Sequence, residues 1–208
     1  KKNNYFNIKT VKNVVEKIKM SIDSIKNTLD EFTKNLNLNS FKNINYFNNA
    51  VSDSIDKNIS FHESINDWES SQIHSNFKFS SETRVRSITI DNLLQNYFLN
   101  DYVVIIKLDV EGNEINGIKG ALEVIKKSDP LIIIEFSKYI FENLDNIDYL
   151  KNFLIKYDYC IYNTNCKKIS LENILYMLRN LKKKNKTINN FYLIKNNSEN
   201  SKMFFSNE

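Results

Sequence analysis

Three carboxylates lie where the sequence predicts the ends of two buried strands. Asp109 and Glu111 follow the apolar run "YVVIIKL", and Glu135 follows "PLIII". Ligands of an open parallel α/β sheet bind outside the carboxyl ends of its strands, so we expect the three acids at one ligand-binding edge. Strand alternation points Asp109 and Glu111 to the same side if the strand extends that far. Carboxylates there suit a cationic or hydroxyl-rich ligand better than a phosphate.

All the glycines of the chain lie directly after the first two acids. Gly112, Gly117 and Gly120 are the only three in 208 residues, whereas an average composition predicts roughly fifteen. A phosphate-binding loop requires G-x-G-x-x-G ahead of a helix, and this pattern is absent. A purely structural role is also open. Gly112 then permits the strand-to-helix turn, and the other two let the helix pack closely on the sheet.

The elements that must position these acids alternate between strand and helix. We predict strands at "DYVVIIKLD" and "PLIIIEF", each followed by a helix, over residues 115–125 and 145–156. This order implies parallel βαβ units with right-handed crossovers. The continuous apolar runs are typical of strands that are covered on both faces. Two aromatic strands, "YDYCIYN" and "NNFYLIK", enclose a helix and end the domain.

The first part of the chain follows other patterns. Apolar residues recur at alternating steps of four and three from Val11 to Leu36, which predicts a long helix with a heptad seam. Short strands are predicted next, with a loop over 65–82, and then a short helix with Asp91 as its N-cap. These strands cover residues 44–51, 58–64 and 83–90. The predicted organisation is a helix over 1–38, an α/β domain over 39–197 and a flexible tail over 198–208.

Composition disfavours several classes of function. The net charge of +4 comes from scattered lysines without interleaved arginines or aromatic residues, so we predict no nucleic-acid partner. No apolar run exceeds six residues, which excludes a transmembrane helix. His62 and His74 fit no metal-ligand spacing, and we predict no metal. Cys160 and Cys166 are predicted to be free thiols in a reducing, cytoplasmic compartment.

The stretch "IKLDVEGNEINGIKGA" resembles the signature of the FkbM-type methyltransferases, which are S-adenosylmethionine-dependent enzymes with a Rossmann-like class I fold. The segments "NNAVSD", "VRSITIDNLL" and "DPLIIIEF" are similar to family segments in the same order. The two aromatic strands resemble the terminal antiparallel pair of this fold. The resemblance covers roughly residues 24 to 196 and implies S-adenosylmethionine as the cofactor.

The resemblance also implies roles for particular residues. Ala50, Val51, Asp109 and Gly112 match cofactor-binding segments. Family members methylate hydroxyl oxygens of sugars or natural products, which implies a small-molecule or glycan acceptor. The sulfonium of the cofactor is already activated, so the protein must align the reactants and assist removal of a proton. A carboxylate can act as the general base, and we nominate Asp109 first, then Glu111 and Glu135.

One part of the family pattern is missing from the sequence. A class I methyltransferase begins with a strand, a glycine-rich turn for the cofactor and a second strand that ends in an acid for the ribose. No glycine precedes Gly112, and the first 36 residues are predicted to be helical. We therefore expect the first βαβ unit to be absent.

Two interpretations of this absence remain open. The chain is either the C-terminal portion of a longer methyltransferase, or a non-catalytic remnant that acts as an interaction module and self-associates through its heptad helix. The chain alone is expected to bind S-adenosylmethionine weakly or not at all, and a remnant would no longer bind it.

Overall fold

A mixed α/β fold is seen in the part of the chain that the computed structural model describes. The described residues are 19–23, 34–38, 44–64, 71–72, 79–99, 103–110, 112–137, 140, 143–180, 187–198, 201–202 and 204. The strands are β1 (Lys19–Asp23), β2 (Ile44–Asn48), β3 (Ala50–Val51), β4 (Asn58–Ser64), β5 (Ser71–Gln72), β6 (Phe79–Ile88), β7 (Ile105–Leu108), β8 (Leu131–Ser137), β9 (Tyr159–Tyr162), β10 (Lys168–Ile169) and β11 (Thr187–Lys195). The helices are α1 (Ile90–Leu94), α2 (Glu114–Lys119), α3 (Leu122–Ser128), α4 (Leu144–Lys156) and α5 (Leu171–Arg179).

The largest sheet has five strands in the order β10-β9-β11-β8-β7. β7 and β8 are parallel and are connected through α2 and α3. β11 lies between β8 and β9 and is antiparallel to both. The parallel pair and the closing antiparallel pair are therefore confirmed. Two smaller sheets complete the fold, with β1 parallel to β2 and the order β3-β6-β4-β5.

One face of the five-stranded sheet packs against the helices. Its buried side chains come from alternate positions of the strands and from the inner faces of α2, α3 and α4. They include Ile106, Leu108, Ile132, Ile134, Leu193, Ile115, Ile118, Ile125, Leu150 and Phe153. Each such side chain stabilises the fold by about 1.5–3 kcal/mol when it leaves water. This face is the main apolar core that holds the ends of β7 and β8 in place.

β7 differs from the prediction of a strand that is covered on both faces. Its side chains alternate between exposed and buried, and Ile105 is 36% exposed. β7 is the outer strand of the five-stranded sheet, and the described residues on its second face are Ile105, Lys107 and Asp109. A continuous apolar run therefore does not require two covered faces.

A strand interrupts the predicted N-terminal helix. β1 pairs in parallel with β2 from Lys19–Ile44 to Asp23–Asn48, so the prediction of a continuous helix over 1–38 is wrong at these residues. Met20 and Ile22 alternate with polar neighbours, and this period of two is typical of a strand, whereas of these two residues only Ile22 lies on the heptad seam. Residues 34–38 are helical, and the remainder of the predicted helix lies outside the described residues.

Two shorter predictions also need correction. The predicted loop over 65–82 contains β5 and the start of β6. The predicted helix over 115–125 consists of α2 and α3, which are separated at Gly120 and Ala121. The break coincides with a close approach of two backbones, since a Cβ added at Gly120 would lie only 2.1 Å from the carbonyl oxygen of Ser52.

The predicted flexible tail is packed in its described part. Ser198, Ser201 and Phe204 are buried. The Phe204 ring lies 5.3 Å from the ring of Tyr192 and 6.2 Å from that of Tyr162, measured between centroids. The side chain of Phe204 thus covers apolar surface on the second face of the five-stranded sheet. Burial of that surface outweighs the polar composition that suggested a frayed end.

Asp91 caps a different helix from the one predicted. Thr89 is the N-cap of α1, and its hydroxyl accepts a hydrogen bond from the Asn92 N–H at 3.1 Å. The Asp91 carboxylate instead accepts hydrogen bonds from the N–H groups of Glu123 and Val124, at 3.0 and 2.9 Å, in the first turn of α3. Asp91 therefore connects two helices that are distant in sequence.

No helix among the described residues is long and apolar enough to cross a membrane.

We expect Gly120→Ala to lower the free energy of unfolding by about 3 kcal/mol or more, because the added methyl group meets backbone that cannot rotate away. Gly117→Ala is the matched control, since its Cβ meets the end of the Leu108 side chain, at 2.9 Å. There the higher helix propensity of Ala, worth about 1 kcal/mol, offsets part of the strain. Urea unfolding measures both variants, and equal losses would contradict the backbone contact.

Removal of the Asp91 carboxylate in Asp91→Ala leaves two N–H groups of α3 without their cap. We expect the free energy of unfolding to fall by about 1 kcal/mol. Asp145 is an exposed acid in the first turn of α4, where the cap is the side chain of Asn143. Asp145→Ala should change the stability by no more than about 0.5 kcal/mol in the same denaturant titration. The cap assignment fails if the two variants are equally stable.

Candidate functional site

Polar side chains from three adjacent strands meet at the carboxyl end of β7. In the register of β7 and β8, Leu108 lies beside Ile134, so Asp109 and Glu135 follow side by side. Asn190 of β11 is the register partner of Glu135. Residues that are paired across strands point to the same face of a sheet. We call Asp109, Glu135 and Asn190 the polar row.

Asp109 is the exposed member of the polar row. Its carboxylate accepts a hydrogen bond of 2.6 Å from the Lys107 ammonium, which lies two residues earlier on the same side of the strand. An exposed ion pair of this kind contributes less than about 1 kcal/mol. The Asp109 carboxylate is therefore available to a ligand at little energetic cost.

The other two members of the polar row are more enclosed. Glu135 is half-buried and interacts electrostatically with Glu114. The Asn190 side-chain oxygen is buried, and it is the one buried side-chain oxygen or nitrogen of the described residues that has no hydrogen-bond partner. Buried polar atoms are nearly always paired with protein or with an ordered molecule. A hydrogen-bond donor from a ligand would satisfy this oxygen.

Glu114 is a residue of the site that the sequence reasoning missed. Its side chain is 1% exposed, and its carboxylate accepts hydrogen bonds from the N–H of Val110 at 3.1 Å and of Gly112 at 3.1 and 3.2 Å. Burial raises the pKa of Glu114 to about 7, the backbone N–H groups oppose this increase, and the charge of Glu135 adds to it. An acid in the first turn of a helix was the available sequence signal.

A side-chain hydrogen bond also connects the loop after β7 to β3. The Asn113 side-chain amide donates a hydrogen bond to the carbonyl oxygen of Val51, and the Asn113 side-chain oxygen accepts one from Asn116 at 2.7 Å. Gly112 has a φ of 103°, a conformation that glycine adopts far more readily than other residues. Asn113 is a second residue that sequence reasoning missed. It places the predicted residues Gly112 and Val51 in one neighbourhood.

The remaining predicted site residues have different outcomes. Ala50 and Val51 are buried, so their side chains belong to the core. Glu111 lies outside the described residues. β1 ends in Asp23, at a position for which the sequence predicted a helix. Among the described residues, no group of three or more His, Cys, Asp or Glu side chains could hold a metal ion.

Glu114 makes the stability of the fold depend on pH. The folded chain keeps the Glu114 proton up to about pH 7, whereas the unfolded chain releases it near pH 4.5. Between these two pH values the folded chain binds a proton that the unfolded chain has lost, and this difference in binding stabilises the folded state. The free energy of unfolding should therefore fall as the pH rises from about 4.5 to about 7. We expect Glu114→Gln to flatten this dependence in urea titrations at about pH 5 and about pH 8. An unchanged slope would show that Glu114 ionises normally in the fold.

Comparisons with known proteins agree with this architecture. The sequence pattern of the FkbM methyltransferase domain matches residues 5–161, which is more than half of the chain. The crystal structure of methyltransferase FkbM from Methylobacillus flagellatus KT has a similar fold, with a TM-score of 0.51 and 16% sequence identity. The similarity covers 89% of this chain and 38% of that protein, so the chain spans well under half of its length. No curated protein matches. On the residues matched, the chain belongs to the FkbM methyltransferase family.

Proposed function

We propose that the chain is part of an S-adenosylmethionine-dependent methyltransferase that methylates a hydroxyl group of a sugar or of a small, natural-product-like acceptor. Membership of the FkbM family supports methyl transfer, and the donor and the acceptor are our proposal. The order β7-β8-β11-β9, with the third of these strands antiparallel, is compatible with a Rossmann-like class I fold.

The polar row is the observation that carries the proposal. Its side chains offer carboxylate oxygens and one unpaired amide oxygen at the carboxyl end of two parallel strands. This set accepts hydrogen bonds, which suits hydroxyl groups, and its negative charge favours a sulfonium ion nearby. A phosphate-bearing ligand would be repelled by the same carboxylates. The chemistry of these side chains therefore fits both the cofactor and an alcohol acceptor.

Each residue of the polar row has a role in this proposal. S-adenosylmethionine, when bound, supplies an electrophilic methyl group. Asp109 is the exposed carboxylate. It accepts the proton of the acceptor hydroxyl while the hydroxyl oxygen of the acceptor is methylated. Glu135 and Asn190 accept hydrogen bonds that orient the acceptor. Alignment of the reacting atoms accounts for much of the rate in such a reaction, since the donor is already activated.

The competing interpretation was a non-catalytic module that self-associates through a continuous heptad helix. β1 interrupts that helix, so the feature on which the interpretation rested is absent over Lys19–Asp23. The end of β1 at Asp23 also favours an enzyme, because the family pattern has an acid at the end of its second strand.

Calorimetric titration of the 208-residue chain with S-adenosylmethionine tests the proposed donor. We expect saturable binding that is weaker than micromolar, because no glycine before Gly112 can form the cofactor turn. S-adenosylhomocysteine should compete for the same site. Absence of binding at roughly millimolar cofactor, a binding free energy of about −4 kcal/mol, would contradict the proposal for this chain and favour the non-catalytic module.

Asp109→Asn tests the proposed base. At saturating cofactor, we expect transfer of a labelled methyl group to hydroxyl acceptors to fall by roughly a hundredfold or more, as for the loss of a general base. Asp148→Asn makes the same substitution at an exposed position of α4 and should retain full transfer. Equal transfer by the two variants would exclude Asp109 as the base.

A further inference from the structure

We propose that Glu114 is a positioning residue that holds the loop after β7 in the conformation required for ligand binding, and that cofactor affinity depends on this hold. The inference rests on the proposed function for its ligand. The hydrogen bonds that carry it can be tested without any ligand.

The Glu114 side chain folds back over its own loop. The loop runs from Asp109, at the end of β7, to Asn113, which precedes α2. Both oxygens of the Glu114 carboxyl accept hydrogen bonds from N–H groups of this loop, one from Val110 and a shared one from Gly112. One side chain therefore holds the backbone N–H groups of both Val110 and Gly112.

The stability of the fold alone does not explain why residue 114 is an acid. A buried carboxylate is costly to desolvate, and a neutral or apolar side chain of similar size is often more stabilising. The nearby charge of Glu135 adds repulsion. A costly buried group that fixes a strand end beside a ligand edge is typical of functional sites, where stability is sacrificed for geometry.

Asn113 provides the second half of the attachment. Its amide donates to the carbonyl oxygen of Val51, which fixes the end of the loop to β3. Glu114 attaches Val110 and Gly112 to the start of α2, so two neighbouring side chains hold the described residues on this side of the site. Loss of Glu114 should release Val110 and Gly112 while Asn113 still holds α2. The fold should then persist although the loop opens.

Two substitutions separate this role from general stability. Glu114→Met keeps the length of the side chain and removes its acceptors, whereas Glu114→Gln keeps one acceptor oxygen without the charge. We expect hydrogen exchange of the Val110 and Gly112 amides to accelerate roughly tenfold or more in Glu114→Met, and cofactor binding to weaken to a similar extent. Both quantities should return to within about twofold of the original chain in Glu114→Gln. Glu123→Met, at an exposed site on α3, is the control and should alter neither.

A pH profile provides a readout that a merely structural residue would not change. The charged group that faces Glu114 from β8 is Glu135, and the Asp109–Lys107 pair lies at the same edge. The amide resonances of Val110 and Gly112 should shift with a midpoint near pH 7 in the original chain and should not shift in Glu114→Gln. The raised pKa also means that amide protection should decline as the pH rises through this midpoint.

The outcomes separate this inference from the proposed function. Unchanged amide exchange in Glu114→Met, or a titration that persists in Glu114→Gln, overturns the role of Glu114 whatever the cofactor does. If Glu114→Met does not fold, the titration of Glu114→Gln decides. Failure of the original chain to bind S-adenosylmethionine contradicts the proposed function alone. Normal cofactor affinity in a folded Glu114→Met with an opened loop overturns the dependence of binding on this residue.

Discussion

The short helix α2 is held at both ends against the strand β3, and the candidate site depends on this double attachment. At its start, Asn113 donates a hydrogen bond to the carbonyl oxygen of Val51. At its end, Gly120 approaches the backbone of Ser52 so closely that no larger residue fits without displacement. The apolar side of α2, with Ile115 and Ile118, packs on the main core. β3 and β7 belong to different sheets, and α2 fixes their relative position.

The two ends of this attachment use different physical forces. Gly120 contributes shape, since the absence of a side chain is what allows contact between the backbones. Asn113 and Glu114 contribute buried hydrogen bonds, and the loss of one partner leaves a buried polar group unpaired at considerable cost. Polar groups are therefore concentrated at the end of α2 that faces the ligand edge, and close packing is concentrated at the opposite end. The site gains its fixed geometry from a helix of only six residues.

The sequence correctly predicted those parts of the fold in which the local pattern of apolar residues fits only one kind of secondary structure. Short apolar runs with turn residues between them identified β7, β8, β9 and β11, and the resemblance to the FkbM family implied the closing antiparallel pair. The prediction failed where one pattern fits two structures. Ile22 belongs both to the heptad seam and to the alternating pattern of residues 19–23, and only pairing with β2, more than twenty residues later, selects the strand. The two covered faces expected for β7 likewise depended on its neighbours in space.

In the candidate site, too, some residues could be predicted from the local sequence and others depend on tertiary contacts. The acids at the ends of β7 and β8 could be predicted because the carboxyl ends of parallel strands meet. Glu114 and Asn113 could not, since their importance lies in which backbone groups they contact. Asn190 reaches the edge only because β11 enters the sheet between β8 and β9. Residue type indicates what a side chain is able to do, whereas tertiary pairing decides whether a partner is present.

The carboxylate of Asp91 has a consequence for the motions of the site. Its hydrogen bond to Val124 spans 33 positions of sequence, and that interval contains β7, the whole loop from Asp109 to Asn113 and α2. The Asp91 side chain therefore holds the two ends of this segment together. Proteins open in contiguous cooperative units, so we expect the segment that Asp91 closes to open as one such unit. Slow fluctuations of the edge should therefore be shared with α1 and α3, far from any bound molecule.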